Sequence, residues 1–322
     1  MSRDYAGVRR VAVIGAGTIG SSWAAYFLSR GLEVIASDPK PESESFLRRY
    51  ITAAWPSLER LGLAAGASVE RLGFVRDPMT AIEGADFVQE NIPEREKLKI
   101  DLFEQLGSAL PIKVLIASSS SGLPISRLQS RCRFPERCVL AHPFNPPHII
   151  PLVEVAGGVL TSRAAVARAM AFYRAIGKRP IHLRKEVKGH VANRLQSALW
   201  REAVHLLAEG VASVADIDTA ISHGPGLRWA IMGPYLTFHL AGGEGGMRQF
   251  MHHFGGGAKL WSQLGSPVLT PKLQRSIIQG VAEETGERPI SQLAKERDAS
   301  LIAIYEALGR NSGRPDETSI KG

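Results

Sequence analysis

Cysteine is scarce in this chain. Only Cys132 and Cys138 occur among 322 residues, too few for a disulfide scaffold, and their spacing fits no common zinc or redox motif. Two thiols suit a reducing cytoplasm, and no metal site is expected. No apolar run approaches the ~20 residues that a membrane-spanning helix needs, so no membrane span is expected. The first residues, Met1-Ser2-Arg3-Asp4-Tyr5, lack the apolar core of an export signal. Negative charge is in deficit, giving a formal net charge of +8. The basic residues are nevertheless spread along the chain, neither bunched in a tail nor interleaved with aromatics. That pattern describes a solvated surface open to anionic ligands, and not a nucleic-acid binder. There is no internal repeat, and only the polar stretch after Gly309 reads as disordered.

Glycine, by contrast, is abundant, and its placement carries a signal. Arg9-Arg10-Val11-Ala12-Val13-Ile14 has the pattern of a buried strand. Gly15-Ala16-Gly17-Thr18-Ile19-Gly20 follows, then a helical stretch from Ser21 to Arg30 with Gly31 at its C-cap. Glu33 to Ser37 reads as a second strand that ends at Asp38. Three glycines so spaced between strand and helix, with an acid about twenty residues further on, form a dinucleotide-binding pattern. Gly15 permits the tight turn, Gly17 lets the backbone approach a pyrophosphate, and Gly20 lets helix and strand pack closely. The helix N-terminus attracts the phosphates, and Thr18 and Ile19 of the turn that leads into it are expected to bind the cofactor with the three glycines. Asp38 is placed to accept hydrogen bonds from the adenosine ribose and to repel a 2′-phosphate, which favours NAD over NADP. The alternative is a glycine-rich turn in some other βαβ unit.

A second signal lies in His142-Pro143-Phe144-Asn145-Pro146-Pro147-His148-Ile149-Ile150-Pro151-Leu152-Val153-Glu154. A histidine titrates near neutral pH and can take and return a proton during turnover. A carboxylate against its far ring nitrogen fixes the tautomer and stabilises the imidazolium. The Pro-rich segment reads as a turn and Leu152 to Val155 as a strand, so a hairpin-like return can bring Glu154 back beside His142. Two ordinary polar residues near a turn are the plainer alternative.

Strands and helices alternate through the first half. Further strands are expected at Leu72–Val75, Phe87–Glu90, Val114–Ala117, Cys138–Ala141 and 180–183, and helices near 41–61, 93–106 and 162–176, with Asp77 as the N-cap of a short one. Such alternation implies an α/β, doubly wound, mainly parallel sheet of the Rossmann type. Ligands bind at the carboxyl ends of its strands, where the glycine turn, Ser118 to Ser121 and His142 all fall. From about Glu186 only helical spacing remains, so residues 1–186 are expected to form the nucleotide-binding domain and 187–322 an all-helical domain. That second domain looks too short and too Gly-broken to bury its apolar faces alone, and a homodimer through it is expected.

These motifs, together with Gly189-His190-Val191-Ala192-Asn193-Arg194-Leu195, resemble the 3-hydroxyacyl-CoA dehydrogenase superfamily over nearly the whole chain. The resemblance implies a catalytic set of Ser121, His142, Glu154 and Asn193. It also places Glu94 and Lys99, from Pro93-Glu94-Arg95-Glu96-Lys97-Leu98-Lys99, near the cofactor. Ala54-Trp55-Pro56-Ser57-Leu58, Trp200-Arg201-Glu202-Ala203, Gly226-Leu227-Arg228-Trp229-Ala230 and His239 to Glu244 look like the free-acid branch, whose members act on L-carnitine or L-gulonate. The expected reaction is NAD-dependent oxidation of the 3-hydroxyl of a small L-3-hydroxy acid, first of all L-carnitine to 3-dehydrocarnitine. L-gulonate or a 3-hydroxybutyryl-CoA thioester are the alternatives, and a non-catalytic NAD(H)-binding, crystallin-like protein is the alternative of another class. Arg228 would clamp the substrate carboxylate bidentately. Phe144, with aromatics among Trp200, Trp229, Tyr235, Phe238, Phe250 and Phe254, would hold a quaternary ammonium by cation–π attraction.

Overall fold

A computed structural model of the chain describes Tyr5 and residues 7–254, 264–286 and 288–307. The side chain of Phe254, the glycine run 255–257 and the tail after Gly309 lie outside the described residues. The chain forms two compact units, residues 1–191 with 298–322, and residues 192–297.

The first unit is built on an eight-stranded sheet in the order β3-β2-β1-β4-β5-β6-β7-β8. The strands are β1 (Arg10–Ile14), β2 (Glu33–Ser37), β3 (Leu72–Val75), β4 (Phe87–Glu90), β5 (Leu115–Ser118), β6 (Cys138–Pro143), β7 (Leu152–Gly157) and β8 (Arg179–Leu183). All neighbours pair parallel except β6 with β7, which run antiparallel. Strand order reverses between β1 and β4, the switch point beside which such sheets bind ligands. The sequence pattern explains the layers. Along the central strands both faces are apolar, as a sheet covered on both sides requires. Val11, Val13, Phe87, Leu115, Ala117, Val139, Ala141, Val153 and Val155 face one core. Their alternating neighbours Ala12, Ile14, Val88, Ile116, Cys138, Leu140 and Ala156 face the other.

The first core is covered by α1 (Thr18–Ser29), α2 (Ser43–Arg60) and α6 (Arg163–Ala175), the second by α3 (Pro78–Ala81), α4 (Glu96–Ala109) and α5 (Ile125–Leu128). Aromatics dominate the first. Trp23 stacks on Phe27 with centroids 5.1 Å apart, and Phe87 packs on Phe172 at 4.3 Å. Each fully buried ring of this kind contributes about 1.5–3 kcal/mol relative to exposure. The start of α4 differs from expectation. The helix begins at Glu96, not Pro93, because residues 91–95 are held as a loop in which Asn91 N–H donates to the Ile14 carbonyl and Ile92 N–H to the Glu90 carboxylate.

The described part of the second unit is helical, with α7 (Ala192–Ala208), α8 (Val214–His223), α9 (Pro225–Trp229), α10 (Pro234–Ala241) and α11 (Gly246–Phe254), then a helix over Pro271–Thr285 and the start of one over Ile290–Ala307. Ser213 caps α8 by accepting from Asp216 N–H, and Gly224 separates α8 from α9. Residues 298–307 belong to the first unit, where Ile302 packs with Leu61 and Ile149.

Candidate active site

The glycine turn after β1 has the shape its spacing predicts. Gly15 takes φ +93°, and a Cβ there would sit 2.7 Å from the Asn91 backbone. A Cβ on Gly20 would lie 1.8 Å from the Gly15 carbonyl oxygen, so only glycine lets α1 start this close to β1. A Cβ on Gly17 would meet nothing within 4 Å, and Gly17 and Thr18 are exposed. The α1 N-terminus has no side-chain cap and no acidic residue in its first turn. Its free N–H groups and the positive end of its dipole therefore point at open space, which fits a pyrophosphate. Asp38, one residue past β2, accepts from Ala16 N–H at 3.1 Å, Lys40 N–H at 3.1 Å and Ser43 Oγ–H at 2.8 Å. Three of its roughly four acceptor positions are filled, so it holds the glycine turn and keeps room for about one ribose hydroxyl.

At the carboxyl ends of β4, β5 and β6 a second cluster lies on the α4 side of the sheet. His142 and Glu154 are directly opposite in the antiparallel β6–β7 pair, and paired residues point to the same face. Nδ1 of His142 is 3.0 Å from Glu154 Oε2. The histidine is 6 % exposed and the glutamate fully buried. Because a carboxylate only accepts, Nδ1 carries the proton, which leaves Nε2 as the ring nitrogen that faces away from the glutamate. The other glutamate oxygen, Oε1, accepts from Val191 N–H at 2.8 Å. Phe144 meets the His142 ring edge-on at 5.8 Å.

Beside this dyad, Glu94 folds over the loop after β5. Its Oε1 accepts from Ser120 Oγ–H at 2.6 Å and from the backbone N–H groups of Ser121, Gly122 and Leu123 at 3.1, 2.9 and 3.2 Å. Burial works against its ionisation, but the Ser120 hydroxyl, the Lys99 charge and the loop N–H groups outweigh it, and the carboxyl is held below the usual range. Lys99 is 1 % exposed, with Nζ 2.6 Å from buried Glu90 and 3.5 Å from Glu94. Ser118 Oγ–H donates to the other Glu90 oxygen at 2.5 Å. Ser121 is exposed, and it does not cap α5, whose N-cap is Pro124; Leu123 N–H is instead met by Ser120 Oγ at 2.9 Å.

The second unit holds the remaining expected residues. Asn193 is the second residue of α7 and half-buried, and Arg228 lies near the end of the short helix α9. Trp200, Trp229, Tyr235 and Phe238 are exposed, while Phe250 is buried and stacks on Phe238 at 4.8 Å. Among the described residues no group of three His, Cys, Asp or Glu is placed to hold a metal ion.

Sequence reasoning passes over two residues here. Glu90 looks like an ordinary strand end, yet it is the buried counter-charge of Lys99. His190 is 3 % exposed, and its ring centroid is 5.0 Å from that of His142. It is the one non-glycine residue among those described with a positive φ, +53°, a conformation that costs about 1–2 kcal/mol for a residue with a Cβ. The only available signal was a histidine immediately after Gly189.

Two family models match the chain. One described as "3-hydroxyacyl-CoA dehydrogenase, NAD binding domain" covers residues 10–187, and one described as "3-hydroxyacyl-CoA dehydrogenase, C-terminal domain" covers residues 189–291. A Streptomyces coelicolor protein named L-carnitine dehydrogenase is 51 % identical over 97 % of this chain and 98 % of its own length. One of the same name from a Pseudomonas species is 47 % identical over 95 % and 96 %. Among solved structures, an NAD+-dependent FHMPC 5-dehydrogenase aligns with a TM-score of 0.81 at 33 % identity, over 95 % of this chain and 99 % of that one. The chain belongs to the 3-hydroxyacyl-CoA dehydrogenase family, and its first unit contains the NAD-binding domain of an NAD-dependent dehydrogenase.

Proposed function

We propose that this family member oxidises the secondary 3-hydroxyl of L-carnitine to 3-dehydrocarnitine, with His142 as the general base. The observation that carries the chemistry is the 3.0 Å bond between His142 Nδ1 and Glu154 Oε2 on directly opposed strand positions. The substrate follows from the L-carnitine dehydrogenases that match nearly the full chain. Glu154 holds the ring in the tautomer whose Nε2 can accept the alcohol proton, and then stabilises the imidazolium. Bound NAD supplies the acceptor for the hydride that leaves C3. Gly15, Gly17, Thr18, Ile19 and Gly20 form the pyrophosphate cradle, and Asp38 takes a ribose hydroxyl. Glu94 shapes the Ser120–Leu123 loop that presents Ser121 to the reacting oxygen, and Lys99, neutralised by Glu90, braces that loop from below. Asn193 is assigned as a second partner of the oxygen. Arg228 is assigned to the substrate carboxylate, and Phe144 with aromatics of the helical unit to the quaternary ammonium.

We read the assembly as a homodimer through the helical unit. In that unit Val204 and Phe250 are the only described apolar side chains that are buried, while Leu195, Trp200, Leu227, Ile231 and Tyr235 are more than half exposed. Light scattering at micromolar concentration should return the mass of a dimer, and a monomer would contradict the reading. A cytoplasmic setting is supported by two free, buried cysteines. Among the described residues no helix is long and apolar enough to cross a membrane.

The substrate test compares kcat/KM for L-carnitine, L-gulonate, L-3-hydroxybutyrate and its CoA thioester by NADH absorbance. L-carnitine should be the best of the four. Any other order refutes the substrate and leaves the family membership standing.

A further inference from the structure

The stretch from Gly189 to Val191 does two things at once. Gly189 and His190 both take positive φ, +78° and +53°. A second glycine would adopt that backbone without strain, so what a histidine adds at 190 is its ring. The ring is buried, and its Nε2 lies 3.1 Å from the Ser120 carbonyl oxygen. A carbonyl can only accept, so Nε2 carries the proton and Nδ1 of the neutral ring does not. The next residue, Val191, directs its N–H to the Glu154 oxygen that His142 does not use. One left-handed residue therefore connects two parts of the site. Its side chain holds the loop that carries Ser121, and the peptide after it holds the glutamate of the dyad.

We propose that His190 is a positioning residue for the oxidation: a neutral, Nε2-protonated imidazole that fixes the Ser120–Ser121 loop against the His142–Glu154 dyad. Neutrality matters because His142 becomes an imidazolium during turnover, and a second positive ring 5.0 Å away would oppose it. The charged or titratable groups that face His190 are His142, Glu154 and Glu94. Burial lowers its affinity for a proton, and the charge of His142 acts in the same direction. The Ser120 carbonyl and the two glutamates act against these and are outweighed. The proton taken from the alcohol thus stays on His142, where Glu154 compensates it.

The proposal rests on the reading of His142 as the base, and its test separates the two. His190→Gln keeps a donor at the reach of Nε2, whereas His190→Phe keeps a ring of similar bulk and removes the donor. Both carry the same backbone strain, so their difference isolates the hydrogen bond. With the 3-hydroxy acid that the enzyme turns over best, His190→Phe should lose kcat by about 100-fold, the cost of roughly 1 Å of misplacement. His190→Gln should recover most of that loss, and NADH should bind both variants as it binds the parent. In histidine-labelled parent enzyme with NADH, ring nitrogen shifts should show His190 neutral and protonated on Nε2 at neutral pH. Equal kcat in the two variants overturns the proposal. So does a parent His190 that is charged at neutral pH or protonated on Nδ1, whether or not either variant folds. Full activity in His142→Ala would instead sink the general-base reading and leave the ring-nitrogen result to stand by itself.

Discussion

Glu154→Gln is the sharpest perturbation of the dyad, because the carboxylate is used from both sides. Oε2 accepts from His142 Nδ1–H and Oε1 from Val191 N–H, and the residue is fully buried. Glutamine has only one acceptor atom for these two donors. If its amide NH2 faces the imidazole, the ring must turn its bare Nδ1 toward it and protonate Nε2, which removes the base. If the NH2 faces Val191, a buried donor loses its partner at a cost of about 1–3 kcal/mol in stability. The imidazolium also loses its counter-charge in either case. Opposite charges about 4 Å apart at an effective dielectric constant of about 20 attract by about 4 kcal/mol. At about 1.4 kcal/mol per decade that corresponds to roughly a thousandfold in kcat. The assay is steady-state NADH formation, with NADH affinity measured separately by fluorescence. The nucleotide turn lies at the end of β1, whereas the dyad lies at β6 and β7, so affinity for NADH should not change. A kcat within tenfold of the parent would refute the assignment of the dyad.

Three further outcomes follow from the same geometry. Gly20→Ala should abolish NADH binding, since its Cβ would sit 1.8 Å from the Gly15 carbonyl oxygen; retained affinity in titration fluorescence would contradict the cradle. The parent enzyme should strongly prefer NAD, because Asp38 has about one acceptor position left for a ribose hydroxyl and repels a phosphate there; equal kcat/KM with NADP would refute this. Glu94→Gln should lower the thermal midpoint at neutral pH and less so in acid. A carboxyl whose folded value is depressed stabilises above the unfolded value and loses that contribution as pH falls through the folded one; a difference that stays constant with pH would contradict the hydrogen-bonded carboxylate.

Whatever depends on local pattern was legible in the chain. The apolar runs gave the central strands, and the glycine spacing gave the β1–α1 turn with its left-handed Gly15. The Pro-rich turn between His142 and Glu154 gave the hairpin-like return, and the antiparallel register sets the two directly opposite and so on one face. Partner choice inside the cluster was not legible. Glu94 and Lys99 lie five residues apart, and the resemblance placed both near the cofactor without saying what each would pair with. Lys99 meets Glu90 more closely than Glu94, 2.6 against 3.5 Å, because Lys99 and Glu90 are both buried between the sheet and α4, where an unpaired charge is untenable. Glu94 sits in the loop, where three peptide N–H groups are within reach. Asn193 and Arg228 could be named only through the family resemblance, since nothing in helical spacing distinguishes them from their neighbours.

His190 marks the limit of such reading for a physical reason. A sequence states side-chain chemistry and suggests φ and ψ only through glycine, proline and asparagine. A histidine at φ +53° breaks that correspondence, and such breaks persist where surrounding contacts over-determine the backbone. Here they do. The Ser120 carbonyl fixes the ring, and the Glu154 carboxylate fixes the following peptide. An ordinary right-handed or extended residue at 190 would turn one of these away. The strain is thus the local cost of letting two adjacent residues grip two different strands, β5 through the loop that follows it and β7 through its glutamate. That is also why replacing His190 should be felt in kcat while NADH binding at the distant glycine turn stays unchanged.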